Sequence, residues 1–203
     1  MDTPTVPDAL ALDFDVEALN RDAGAVVALD AAGTIVWVND AWHRFAHKNG
    51  APDVAARFGR GARYLDGVRG PLADYFARAF DEVRARREPW ALEYECSSAE
   101  EFRMHRLRVL PLRDGGLLLE HCELACGPHD RAAERPVEAL YRDLAGVIAQ
   151  CANCRRVRRV ENGWHWIPAW VHAPPPAPVS HGLCTTCAGH YLYATRTRRQ
   201  EAR

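Results

Sequence analysis

The sequence predicts an α+β chain: a five-stranded antiparallel sheet with helices on one face, followed by a small cysteine-bearing module. Three observations carry this expectation. Two β-prone runs flank a short glycine turn near the N-terminus, a helical periodicity follows, and three further strand-like runs come after it. Beyond residue 150 the composition changes: cysteines recur at C-x-x-C spacing and the charge balance reverses.

Each element has a local reason. Ala25–Asp30 and Thr34–Asn39, joined by Ala31-Ala32-Gly33, read as a β-hairpin. Asn39 or Asp40 can cap a helix over Ala41–Asn49 that Gly50 ends. A Gly- and Arg-rich loop runs from Pro52 to Gly70, and Pro71 suits the first turn of the next helix. There Leu72, Phe76, Ala79, Phe80 and Val83 recur at three- and four-residue spacing, giving one apolar face. Trp90, Leu92, Tyr94 and Cys96 alternate with Ala91, Glu93 and Glu95, the pattern of a strand with one wet face. Phe102–Leu112 and Leu117–Leu124 form a strand pair around Arg113-Asp114-Gly115-Gly116. Pro136 opens a stretch in which Val137, Leu140, Tyr141, Leu144, Val147 and Ile148 fall on one helical stripe, so residues 125–150 read as a linker helix.

Composition narrows the class. The 203 residues are 48% apolar and 26% charged, as in an ordinary globular protein. No apolar run approaches the ~20 residues a membrane helix needs. Met1–Asp15 is acidic and lacks the basic and apolar regions of a signal peptide, which leads to an expected cytoplasmic location where thiols stay reduced. The odd count of seven cysteines argues against a closed disulfide framework. Arginine outnumbers lysine 25 to 1, as in GC-rich bacterial genomes. Residues 1–150 hold 18 basic against 25 acidic side chains, net −7, and residues 151–203 hold 8 against 2, net +6. Two modules with different jobs follow from that asymmetry.

The chemistry concentrates at Cys151-Ala152-Asn153-Cys154 and Cys184-Thr185-Thr186-Cys187, two C-x-x-C pairs separated by 29 residues. Each such turn sets two sulfurs on one side, and two turns supply four soft anionic ligands suited to one tetrahedral Zn²⁺ per chain. Between them, Arg156–Val160, Glu161-Asn162-Gly163 and Trp164–Ile167 read as a hairpin with an Asn-Gly turn. The second pair opens a helix over Cys184–Arg196, whose first-turn amides favour thiolates. Knuckle, hairpin and ligand-bearing helix is the order of a treble-clef zinc fold. A 53-residue tail with four prolines at Pro174–Pro178 has little core of its own, so the ion would supply much of its folding free energy. A thioredoxin-like pair needs one C-x-x-C beside a βαβ unit, and a c-type haem needs C-x-x-C-H, where this chain has Arg155 and Ala188. An iron–sulfur cluster is the rival occupant of a four-cysteine site. His181, three residues before Cys184, can ligate, but with four cysteines available a hydrogen bond to a sulfur or a structural role is the favoured reading. His165, His172 and His190 read as ordinary surface or core histidines.

Residues 25–124 resemble a PAS domain. Trp37-Val38-Asn39-Asp40-Ala41-Trp42 stands at that family's strand-to-helix step, and Leu92-Glu93-Tyr94-Glu95-Cys96-Ser97-Ser98 is similar to the third strand of a common bacterial subgroup. The resemblance covers about half the chain and implies a sensor domain that a dimerising helix often follows. The tail resembles a four-cysteine module of bacterial sensor kinases and response regulators, on Cys151–Arg158, Trp164 and Ser180-His181-Gly182-Leu183-Cys184-Thr185-Thr186-Cys187. It departs from that pattern at His172-Ala173-Pro174-Pro175-Pro176.

These readings give a domain plan: a lead or cap over 1–24, a PAS-like sensor over 25–124, a linker helix over 125–150 and a four-cysteine zinc module over 151–203. The expected function is signal transduction, in which the zinc module meets a protein partner and the linker helix allows a homodimer. Binding of nucleic acid through Arg155, Arg156, Arg158 and Arg159 is the first alternative, and a thiol/zinc redox switch is the second. Haem or flavin in the PAS-like domain is not expected: the Asn-Cys-Arg-Phe-Leu-Gln signature of a photoreactive flavin site is absent, and the Leu72–Arg87 helix has no histidine. His43, His47, His105 and His121 read as structural, and the small-ligand site of this domain is unknown from sequence. Cys122 and Cys126 form either a redox pair or, as the simpler reading, a buried strand thiol and an incidental loop thiol. No nucleophile elbow, phosphate-cradling loop or H-E-x-x-H is present, so no enzyme is expected.

Overall fold

A computed structural model describes residues 6–48, 57–160 and 163–191. Its contacts divide the chain into two compact units. The first takes the described residues of Met1–Val68, Ala73–Tyr94 and Arg103–Cys126. The second takes Arg69–Leu72, Glu95–Phe102 and the chain from Gly127 onward. Among the described residues, no helix is long and apolar enough to cross a membrane.

The first unit is an α+β fold built on one sheet. Strands β1 (Ala25–Leu29), β2 (Ile35–Val38), β3 (Trp90–Glu95), β4 (Glu101–Pro111) and β5 (Leu117–Pro128) form one five-stranded sheet in the order β2-β1-β5-β4-β3. β1 pairs antiparallel with β2 (Val27 opposite Val38) and with β5 (Val27 opposite Leu119), and it is buried from Val26 to Leu29. The first hairpin closes as its sequence dictates. Asp30 accepts from the Thr34 amide at 2.8 Å, and Gly33 takes φ +83°, a conformation that favours glycine.

Helices α1 (Asp8–Asp13) and α2 (Val16–Arg21) bury Ala9, Leu10 and Leu19 against Val26, Ala28, Trp37 and Leu118. Within the stretch expected to act as a cap, α1 and α2 thus pack on one sheet face. On the other face, Phe45 of α3 (Asp40–Lys48) meets the His105 ring edge-on at 6.1 Å. The helix over 71–86, here α4 (Pro71–Arg86), buries the predicted stripe of Leu72, Phe76, Ala79, Phe80 and Val83. The expected end of α3 at Asn49 and Gly50 lies outside the described residues.

Asn39 decides the helix start that the sequence left between two residues. Its side chain is fully buried and makes four hydrogen bonds. Oδ1 accepts from the amides of Val26 (3.0 Å) and Trp42 (3.1 Å), and Nδ2 donates to the carbonyls of Leu19 (3.0 Å) and Gly24 (2.9 Å). Asn39 therefore caps α3 and joins it to α2 and β1 with its full donor and acceptor capacity used.

The second unit holds a four-stranded sheet in the order β8-β7-β6-β9, from β6 (Ile148–Cys151), β7 (Val157–Arg158), β8 (Trp164–His165) and β9 (Val179–Gly182). β6 pairs antiparallel with β7 and parallel with β9, placing Cys151 opposite Gly182. The predicted hairpin is β7–β8, closed by the Arg159 amide on the Gly163 carbonyl (3.0 Å); Asn162 of its turn is outside the described residues. A short α5 (Ala169–His172) follows, and α6 covers 185–191. The expected extension of α6 to Arg196 also lies outside the described residues. Tyr141, Ile148, Val157, Ile167 and Trp170 form a small apolar core.

The linker helix over 125–150 is corrected. β5 runs on to Pro128, a 3-10 turn occupies Glu138–Leu140, and Ile148 already begins β6. Two local causes defeat the helix. Pro136 disfavours helical geometry in the residue before it. Asp143 accepts from the amides of Ala145 and Val147, both at 2.9 Å, and Gly146 takes φ +77°, making a tight turn where the helix would continue. The apolar stripe separates accordingly: Tyr141 and Ile148 point inward, whereas Val137, Leu140 and Leu144 are exposed. A homodimer built on a helix at this place loses its structural basis.

Candidate metal centre

The four predicted cysteines meet in one buried cluster. Their sulfurs all lie within 4.8 Å of one another, and each residue is at most 7% exposed. Cys151 is the last residue of β6. The chain turns through Ala152, Asn153 and Cys154, with the Arg155 amide bonded back to the Cys151 carbonyl (3.1 Å) and Arg155 at φ +58°. The Ala152 amide reaches across to the Gly182 carbonyl at 2.8 Å, which fixes this turn beside the end of β9.

Cys184 follows β9 and precedes the first turn of α6. Its Sγ accepts from the Cys187 amide at 3.5 Å and its carbonyl from the Ala188 amide at 2.8 Å, so a ligand sulfur does the work of an N-cap oxygen. Cys187 lies three residues on, on the same side of the helix. The Cys184 amide also donates to Cys151 Sγ at 3.3 Å, tying one pair to the other.

The arrangement fits a tetrahedral ion. Four ligands at ~2.3 Å place their sulfurs about 3.8 Å apart, and Cys154 and Cys184 stand 3.6 Å apart. In the thiol cluster itself, hydrogen bonds between the sulfurs split their acidities: Cys151 and Cys184 are held below the usual thiol range, Cys154 and Cys187 above it. Four thiolates this close repel one another, and a divalent cation removes that repulsion while displacing the protons. The group would supply a cross-link between the β6–β7 turn and the start of α6, with Trp164 and Leu183 packed against it.

His181 takes the structural alternative. It lies in β9 opposite Gln150, and among the described residues it makes no hydrogen bond to a sulfur. His165 bonds the Tyr141 hydroxyl at 3.1 Å, His172 meets Glu100 at 2.6 Å, and His190 packs on Tyr191. Two residues without an expected role support the centre, one at a ligand sulfur and one behind it. Asn153 Nδ2 donates to Cys187 Sγ at 3.3 Å, and the Tyr191 hydroxyl donates to Asn153 Oδ1 at 2.8 Å. The available signal was an amide side chain inside the first C-x-x-C and an aromatic residue one helical turn after the last ligand.

Beside the centre, Arg131 is nearly buried in a two-pronged ion pair with Glu95, at 2.7 and 2.5 Å, and lies over the rings of Trp166 and Phe102. A cleft of about 450 Å³ opens among Asp130, Arg131, Glu134, Arg156, Trp164, His165 and Trp166. Of the four hairpin arginines, Arg155 and Arg158 are exposed, while Arg156 and Arg159 are half-buried.

In the first unit, His121 sits between two hydroxyls, Tyr94 at 2.7 Å and Tyr64 at 3.2 Å, one on each ring nitrogen. Burial and the neighbouring His105 lower its pKa to about 4, so the ring is neutral at pH 7. Cys122 and Cys126 both lie on β5, where four residues of extended strand separate them by about 13 Å. They do not form an intrachain disulfide at that spacing, and the simpler reading is corrected as well, because both thiols are exposed and both lie on the strand.

No protein-family model matches the chain. An uncharacterized 104.1 kDa protein in the hypE 3' region of Rhodobacter capsulatus is 31% identical over 109 residues, which is 49% of this chain and 11% of that protein. The chain thus spans a small part of that relative's length. Among solved structures it is similar to phage VqmA in its complex with DPO (TM-score 0.41, 17% identity, 54% of this chain and 51% of that one). It is also similar to a domain of an HTR-like protein from Haloarcula marismortui (TM-score 0.38, 17% identity, 51% and 100%). A third is the PAS domain of Bordetella pertussis BvgS (TM-score 0.35, 13% identity, 54% and 80%).

Proposed function

We propose that this chain is a non-enzymatic bacterial signal-transduction protein, in which a PAS-like sensor is coupled to a treble-clef-type module held by one structural Zn²⁺ on Cys151, Cys154, Cys184 and Cys187. The observation that carries the reading is the buried cluster itself, four sulfurs drawn from two knuckles to within 4.8 Å. Zinc is favoured because all four positions are closed by protein thiolates and the apolar cluster among the described residues around them, Tyr141, Ile148, Val157, Ile167 and Trp170, is small. The module would present a surface to a protein partner, and the cleft walled by Trp164 and Trp166 supports that role. Its aromatic walls and mixed charges have the composition of a recognition site.

Elemental analysis with an absorption spectrum, on protein purified without added metal, tests the reading. About one zinc per chain and no visible bands is the expected result. Iron with visible bands would replace zinc by a cluster at the same cysteines and turn the reading toward redox sensing. Chelation should then unfold the second unit, read as lost protection of the Ile148 and Val157 amides in hydrogen exchange.

A further inference from the structure

We infer that Asn153 and Tyr191 form a brace that protects Cys187 and sets the rate at which the centre gives up its metal. The inference rests on the reading that the four cysteines hold a metal ion.

The four sulfurs are not held alike. Cys151 receives the Cys184 amide and Cys184 receives the Cys187 amide, both main-chain donors that no substitution of a side chain removes. Cys187 takes its hydrogen bond from a side chain, Asn153 Nδ2, which reaches over from the opposite knuckle at 3.3 Å. Cys187 is also the most exposed of the four, at 7% against 1–3% for the others. The ligand most open to attack thus depends on a donor that is separable from the backbone.

Tyr191 makes that donor reliable. Its hydroxyl donates to Asn153 Oδ1 at 2.8 Å, which leaves the amide nitrogen as the end that faces the sulfur. Tyr191 is 3% exposed and lies four residues after Cys187, so ligand and hydroxyl share one face of α6. An N–H donor draws charge from a metal-bound thiolate, making it a weaker nucleophile and a poorer proton acceptor. The brace also ties the first knuckle to the helix across the centre, which resists the ligand detachment with which metal loss begins.

The test uses the full zinc-loaded chain and three variants: N153A, N153D and Y191F. Zinc release into excess chelator is followed with a zinc-indicator dye. In parallel, limiting iodoacetamide, which forms an S–C bond and expels iodide, is mapped by mass spectrometry. N153A should release zinc about 10-fold faster, the low end of the effect for residues supporting a metal ligand, and Cys187 should become the first cysteine alkylated. N153D, which removes the donor and sets a carboxylate beside the thiolate, should be faster still. Y191F removes one hydroxyl and should lie between wild type and N153A; it keeps the test open if N153A fails to fold. A shift of the sulfur-to-cobalt charge-transfer band in Co²⁺-loaded Y191F would report the change at the sulfur directly. Wild-type protein that carries no metal overturns the metal reading. Full zinc loading, with wild-type release rates and an unchanged alkylation order in Y191F and in the folded Asn153 variants, overturns the brace alone.

Discussion

Replacing Asn39 by alanine should destabilise the first unit by about 4 kcal/mol. The figure follows from the four partners left behind. Two lie in buried surroundings, the Val26 amide and the Leu19 carbonyl, and two are partly buried, the Trp42 amide and the Gly24 carbonyl. A buried group stripped of its partner costs about 1–3 kcal/mol, and one that water can reach costs about 0.5 kcal/mol. Taking about 1.5 kcal/mol for each buried group and about 0.5 kcal/mol for each of the others gives the sum. Asn39→Asp keeps both acceptor roles, loses both donations and buries a charge, so it should be no milder. Urea denaturation gives the total, and hydrogen exchange at the Val26 and Trp42 amides localises it. A cost below about 1 kcal/mol for Asn39→Ala, with both amides still protected, would refute the reasoning: water or local relaxation would then satisfy the groups as well as the asparagine does.

Further outcomes follow from other contacts. His121, neutral in the fold with its pKa near 4, binds fewer protons there than in the unfolded chain, whose ordinary value is 6.5. Stability therefore rises with pH between about 4 and 6.5, and acidification through that window should remove up to about 3 kcal/mol; His121→Gln should flatten the slope of unfolding free energy against pH. Breaking the nearly buried Arg131–Glu95 pair by Arg131→Ala should cost about 3 kcal/mol in thermal unfolding, because Glu95 loses its cationic partner and keeps, among the described residues, only the Ser97 hydroxyl, whereas joint replacement of both by methionine should cost much less. Gly70→Ala should cost at least about 1 kcal/mol in the same assay. Gly70 lies at φ +55°, and an added Cβ would stand 2.5 Å from the His181 carbonyl oxygen.

How much of this was legible depended on the range of the signal. The β1–β2 hairpin, α4 and the β4–β5 pair announce themselves through alternation, helical spacing and turn glycines, all read within a dozen residues. The cysteines were legible because a metal fixes both residue type and spacing. The stretch after Pro136 misled because six residues at three- and four-residue spacing satisfy a helical stripe by count. The stronger signal was Asp143-Leu144-Ala145-Gly146, with Asp first and Gly fourth, the preference of a type I turn. β6 and β9 carried no warning, since each spans four residues and their pairing is parallel and remote. Asn153 was invisible for a related reason: an asparagine in a knuckle looks like any turn residue until Tyr191 and Cys187 are seen beside it.

The parallel pairing of β6 with β9 bears on how the cysteine pairs find each other. Ile148 to Cys151 lie alongside Val179 to Gly182, so the ladder itself draws together two segments separated by the proline-rich loop. Closing a flexible loop of roughly thirty residues costs about 3 kcal/mol of chain entropy. The ladder and the metal centre close the same loop, so that cost is met once for both, and with the ladder formed the second cysteine pair meets the first at a high effective concentration. Because closure entropy grows only with the logarithm of length, doubling the loop would add about 0.6 kcal/mol. The length of the Pro174–Pro178 stretch is therefore nearly free to vary, while the four-residue register beside it is not.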